Sequence, residues 1–272
     1  LTIGNSFANS VMGELKMIVS AQGDQIVIDG ANLGSCTLER HWNNILAEEK
    51  YPDVKLYKQK QYKMREILKS QKWDVVTIQQ GSALSWQAET YQPFAKNICE
   101  YVKKNAPQAE IVIQQTWSYR PDHPIYKTWK SDPKIMYDKL TEAYCKLASE
   151  MKLRIIPAGA AVQYYRENYP IKFVMYHPDE YKKPAKPDVT GSIIGNIRWE
   201  KDAKTGKESL KGDMIHLNAR GRYLQACVWY GFLFQKNPED IKYTPKNMDG
   251  KEAEFMRRTA KVCLEKFNQE KK

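Results

Sequence analysis

Nowhere in the 272 residues do two cysteines form a CxxC pair, and the four histidines make neither an HxH nor an HxxxH. A zinc ribbon or a structural metal site therefore has no ligand set to start from. The five cysteines (Cys36, Cys99, Cys145, Cys227 and Cys263) are odd in number and far apart, which excludes a dense disulfide framework. All but Cys36 fall in helical patterns, where a buried thiol is expected. No apolar run approaches the roughly 20 residues that cross a bilayer, so no membrane span is expected. An arginine-rich stripe is missing too. The net charge of +11 is spread as lysine over helices and over residues 182–211. It reads as solvated faces and not as a nucleic-acid partner. The first residue is Leu1, not Met, and it already reads as strand. The expectation is that an upstream segment, such as a signal peptide, has been removed and that the protein is secreted or periplasmic.

What is present is alternation. Short apolar runs follow helical patterns along the chain, the signature of an α/β fold around a parallel sheet. Strands are expected at Leu1–Ile3, Ile26–Ile28, Asp74–Gln79, Glu110–Gln115 and Leu153–Ile156, about five in all. Helical spacing marks Val11–Val19, Leu38–Ala47, Lys60–Ser70, Tyr91–Lys104, Ile135–Met151, Ala160–Asn168, Ala219–Gln235 and Glu252–Phe267. The stretch from about 170 to 212 is rich in proline, lysine and glycine, and IIGNIRWEKDAKTGKESLKG within it reads as a hairpin. It is taken as an excursion from a single domain over residues 1–272.

The first strand runs into Gly4-Asn5-Ser6 and then a helix. Ligands of an open parallel sheet bind at the carboxyl ends of its strands, which is where Ser6 falls. A serine in that place is also a preferred helix cap, so the hydroxyl needs partners before it counts as chemistry. A nucleophilic serine needs a base, and the base needs an orienting carboxylate. KGDMIHLN supplies both, with Asp213 three residues before His216 and a helix following. In a loop that spacing lets the carboxylate reach Nδ1–H while Nε2 faces a serine.

IGNSF at the start and DMIH near the end resemble the first and last blocks of the SGNH, or GDSL-type, hydrolases. Asn5 stands where that family commonly has aspartate. The GxSxG elbow of α/β-hydrolases is absent. The resemblance implies a three-layer α/β/α sandwich with a flavodoxin-like parallel sheet, and a catalytic Ser6, Asp213 and His216. It also implies an oxyanion hole built from the Ser6 N–H, a glycine N–H after the second strand and an asparagine side chain after the third. The glycine matches Gly34, with Gly30 as the second choice. The asparagine has no match, since DVVTIQQGSALS places Ala83 there, so a carboxamide from Gln80 or Gln79 is expected to replace it. Ser82 and Asn32 are the reserves.

His41, Trp86, Trp117 and Tyr119 are the candidate walls of a substrate cleft, with packing the competing role for each. Aromatic faces beside Gln, Arg and Asn groups suit a sugar ring. The expected activity is therefore hydrolysis of short acyl esters, chiefly acetyl, on a carbohydrate, through an acyl-enzyme and without metal or cofactor. The alternatives are a catalytically silent glycan-binding member of the fold and a lipid or thioester hydrolase. An acidic-polymer or nucleic-acid binder is a third option, suggested by charge alone.

Overall fold

The computed structural model describes residues 1–269; residues 270–272, the end of the span read as one domain, lie outside the described residues. In chain order the elements are β1 (Thr2–Ile3), α1 (Ser6–Asn9), α2 (Met12–Ala21), α3 (Leu38–Lys50), α4 (Met64–Lys69) and β2 (Val75–Ile78). Then come α5 (Phe94–Asn105), β3 (Glu110–Gln114), α6 (Ile125–Trp129), α7 (Pro133–Met151), β4 (Arg154–Ile156) and α8 (Ala158–Asn168). The hairpin β5 (Ile197–Lys201) and β6 (Glu208–Gly212) precedes α9 (Ala219–Phe234) and α10 (Gly250–Gln269). No helix among the described residues is long and apolar enough to cross a membrane.

The main sheet has four parallel strands in the order β1-β2-β3-β4. Its middle strands carry Val76, Ile78, Val112 and Ile113, all buried, as expected of parallel strands covered on both faces. The expected strand at Ile26–Ile28 does not form. In its place Gly30 makes a single parallel bridge to Thr2, with Thr2 N–H donating to Asp29 O and Ala31 N–H to Thr2 O. The reason is geometric: β1 is two residues long, and Val27 is 70% exposed, so apolar composition alone supplies no ladder. With this bridge counted at the edge, the spatial order keeps the flavodoxin-like sequence, second segment outside the first.

Helices α2, α8 and α10 pack around α9, while α3 and α4 pack on α5, giving helical layers on the sheet. Helix α9 is buried nearly all round, from Tyr223 to Phe232, because three helices enclose it. A buried carboxylate ties that layer together: Glu252 of α10 accepts from Tyr165 of α8 and from Arg220 of α9. The hairpin pairs Ile197 through Lys201 antiparallel with Gly212 through Glu208 and delivers the chain into the segment that holds Asp213.

Candidate active site

Asn5, not Ser6, caps α1. It is extended (φ −143°, ψ −156°), and its Oδ1 accepts from Phe7 N–H at 3.0 Å, while its Nδ2 donates to Cys36 O at 3.1 Å. Ser6 is thereby released from capping and becomes the first helical residue. Its Oγ lies 2.8 Å from His216 Nε2. Gly4 keeps the strand end tight against its neighbours, since a Cβ there would come within 2.9 Å of the Gln79 side chain. The carbonyl oxygen of Phe7 accepts from Gln114, Gln225 and Ser10, which fixes α1 from three directions.

The base is assembled within four residues. Asp213 Oδ1 accepts from the N–H groups of Ile215 and His216 at 2.8 and 2.9 Å, and Oδ2 lies 2.8 Å from His216 Nδ1. Burial pushes the Asp213 carboxyl up, but these N–H groups and the imidazole outweigh it and hold the group below the usual carboxylate range. An ionised carboxylate can only accept, so Nδ1 carries the hydrogen and Nε2 presents its lone pair to the Ser6 hydroxyl. The spacing of three works because the carboxylate folds its own loop before it orients the ring.

Two outside segments clamp this loop. On one side, Arg120 N–H donates to Met214 O and Trp117 Nε1–H to Ile215 O, each at 2.9 Å. On the other, Gly195 N–H donates to His216 O, and Asp213 N–H to Asn196 O. Asn218 then caps α9 by accepting from Arg220 and Gly221 N–H. Residues from before β5, after β3 and before α9 thus converge on one imidazole.

Several expected cleft residues have other work. Trp117 is buried, stacked on Phe7 at 4.0 Å with planes 6° apart, and joins α1 to the His216 loop. Tyr119 is also buried, with its hydroxyl 2.9 Å from Ser82 Oγ. His41 lies fully buried beneath the strand end, where Nε2–H donates to Gly4 O and Nδ1 accepts from Tyr57 OH. Of the four candidate walls, Trp86 alone stays partly open, 5.0 Å from Trp129, with Lys139 over its ring. Residue type signalled chemistry in these cases but not direction. Trp129, on the short α6, went unread because five residues make no period; His123, whose Nδ1 accepts from Ile125 N–H beside Tyr119, lies in the loop before that helix.

The oxyanion candidates divide as sharply. Gly34 is exposed, its N–H has no partner among the described residues, and a Cβ there would meet nothing within 4 Å. Gln80 is not a free donor. Its Oε1 accepts from Leu38 and Gly81 N–H, and both hydrogens of Nε2 go to Thr90, on O and Oγ1, at 3.0 Å. Gln79 is buried with Nε2 donating to Asn5 Oδ1 at 2.7 Å. Both glutamines are structural staples of the strand end. Gly30, the second-choice glycine, sits in the bridge to Thr2.

Burial pushes the His41 imidazole down to about 4, against the pull of its bond to Gly4. Between that value and the ordinary 6.5, the unfolded chain binds a proton that the folded chain refuses. The contribution to stability is therefore full above pH 6.5 and is lost as pH falls toward 4, on the order of 3 kcal/mol. Urea unfolding of wild type and His41→Asn at pH 7 and pH 4.5 checks this. The stability gap between them should shrink at the lower pH; a gap independent of pH contradicts it.

A family model described as a domain of unknown function (DUF4886) matches residues 1–182. The crystal structure of a DUF4886 family protein from Bacteroides uniformis ATCC 8492 superimposes with a TM-score of 0.76, at 23% identity, over 97% of this chain and 93% of that one. An acetyl xylan esterase, AlAXEase, matches at a TM-score of 0.50 and 14% identity, over 86% of this chain and 100% of its own. A protein from Parabacteroides merdae ATCC 43184 described as a GDSL-like lipase matches at 0.50 and 14%, over 86% and 94%. These likenesses show a shared fold, an α/β/α sandwich. No curated protein matches the chain.

Proposed function

The chain belongs to the DUF4886 family, and from that premise we propose that it is a serine esterase that removes short acyl groups, chiefly acetyl, from carbohydrates. The observation that carries this is the hydrogen-bonded line Ser6 Oγ, His216 Nε2, His216 Nδ1 and Asp213 Oδ2, with both links at 2.8 Å. His216 takes the Ser6 proton as Oγ attacks the ester carbonyl carbon. The carbonyl electron pair moves to oxygen, and the proposed receivers of that charge are the N–H groups of Ser6 and Gly34, neither of which has a partner among the described residues. Collapse returns that pair, breaks the bond to the alcohol oxygen, and His216 gives its proton to the departing alcohol. Water then attacks the acyl-serine with His216 again as base, releasing the acid and restoring Ser6. No cofactor enters this cycle.

The carbohydrate reading is supported by the partly exposed Trp86 and Trp129, tilted 42° to one another, which offer flat apolar faces for the C–H side of a sugar. The acetyl xylan esterase of the same fold points the same way. The cavity of about 880 Å³ bordered by Leu1, Ile26, Val75, Trp229 and Phe234 lies at the amino ends of the strands, the opposite end from Ser6.

Purified protein assayed on 4-nitrophenyl esters from two to eight carbons, and on acetylated xylo-oligosaccharides, tests the reading. Acetate release from the glycan is expected, with kcat/KM falling about tenfold or more from acetyl to octanoyl. Faster octanoyl turnover with no acetate released would defeat it in favour of a lipid or thioester substrate.

A further inference from the structure

We propose that the Ser82 hydroxyl, held by Tyr119, donates the third hydrogen bond to the oxyanion. This rests on the esterase reading above and fills the place where the asparagine is missing. A carboxamide has two hydrogens to give, and those of Gln80 and Asn32 are spent, while Gln79 is turned inward. Gln80 gives both to Thr90, and Asn32 gives both away, to Thr2 Oγ1 and Asn9 Oδ1 at 2.8 Å. Gln79 is buried, its side chain packed under Gly4 and bonded to Asn5.

Strand register brings Ser82 to the right edge. Ile3 of β1 pairs with Ile78 of β2 in parallel, so three residues beyond each strand stand Ser6 and Gly81, with Ser82 next. Asn5 Nδ2 reaches Gln80 O at 3.5 Å, tying the two strand ends together. The segment is pinned by Gln80, whose Oε1 accepts from Gly81 N–H, and Ser82 itself is half-buried.

The hydrogen-bond chemistry fits a donor. Tyr119 OH has Ser82 as its partner, and burial pushes the phenol up, so it stays a neutral O–H. When Tyr119 donates to Ser82 Oγ, the serine keeps its own hydrogen for the oxyanion, and accepting one bond strengthens the bond it gives. Tyr119 is a positioning residue: its carbonyl accepts from Tyr126 OH and Arg166 Nη2, both at 3.1 Å, which fixes the segment that carries its ring.

The test is the kinetics of Ser82→Ala, Ser82→Thr, Tyr119→Phe and the Ser82→Ala/Tyr119→Phe double variant on 4-nitrophenyl acetate, with thermal melts alongside. Ser82→Ala should lower kcat by about 100-fold with KM nearly unchanged and the melt preserved. Ser82→Thr, which keeps the hydroxyl, should recover most of that loss. Tyr119→Phe should slow wild type yet add nothing to Ser82→Ala, because both act through one bond. An alanine variant that keeps its kcat, or a Tyr119 effect that persists without Ser82, overturns the inference while the esterase reading stands. Wild-type protein with no Ser6-dependent turnover overturns both.

Discussion

Ser6→Ala is expected to lower kcat on acetyl esters by about 10⁴-fold or more, since the Ser6 hydroxyl is the one hydrogen-bonded to His216 Nε2. The fold should barely register the change. Asn5 remains the cap of α1, and Phe7 O keeps its three donors, so what is lost is one hydroxyl-to-imidazole hydrogen bond on a half-exposed ring. Such a bond contributes about 1 kcal/mol. Initial rates and melting curves on the same preparations check both halves. An alanine variant that keeps most of its turnover would show that the nucleophile lies elsewhere. A variant that unfolds would show that Ser6 is structural.

Asp213→Asn is expected to cost a comparable factor, about 10⁴ in kcat, by a different route. Asparagine Oδ1 can still accept from Ile215 and His216 N–H, so the loop should keep its shape. The other position changes character: an NH₂ donor then faces Nδ1, which must turn into the acceptor. The hydrogen moves to Nε2, and Ser6 loses its base. Asp213 is held below the usual carboxylate range, so it is ionised throughout the pH span of an esterase assay. A near-normal rate in Asp213→Asn contradicts the proposed dyad.

The residues that were legible share one property: their meaning is local. Asp213 and His216 stand three apart, and a carboxylate that folds its own turn brings them together without outside help. Ser6 follows a strand and opens a helix, so its place at the sheet edge can be read from its neighbours alone. The long periodic α7 was readable for the same reason, and α9 from its long apolar run. The edge strand was not, because a ladder depends on how much of its partner there is to pair with, and β1 offers two residues.

Direction was the other thing hidden. Trp117, Tyr119 and His41 lie near the site, as their positions in the chain suggest, but all three face inward. Their partners are distant in sequence: Phe7 for Trp117, Ser82 for Tyr119, Gly4 for His41. Gln80 shows the same limit. It has the chemistry of an oxyanion donor, and only the arrival of Leu38 and Thr90 in space commits it to holding backbone. The short α6 lacked a period, so Trp129 entered the candidate sugar shelf from outside the reading.

The central claim is that His216 activates Ser6, and covalent labelling examines it most directly. Protein treated with a fluorophosphonate, digested and mapped by mass spectrometry should carry the phosphonyl group on Ser6, and His216→Ala should leave that peptide unlabelled under the same conditions. Labelling absent from the wild type, placed on another serine, or undiminished in His216→Ala would contradict it.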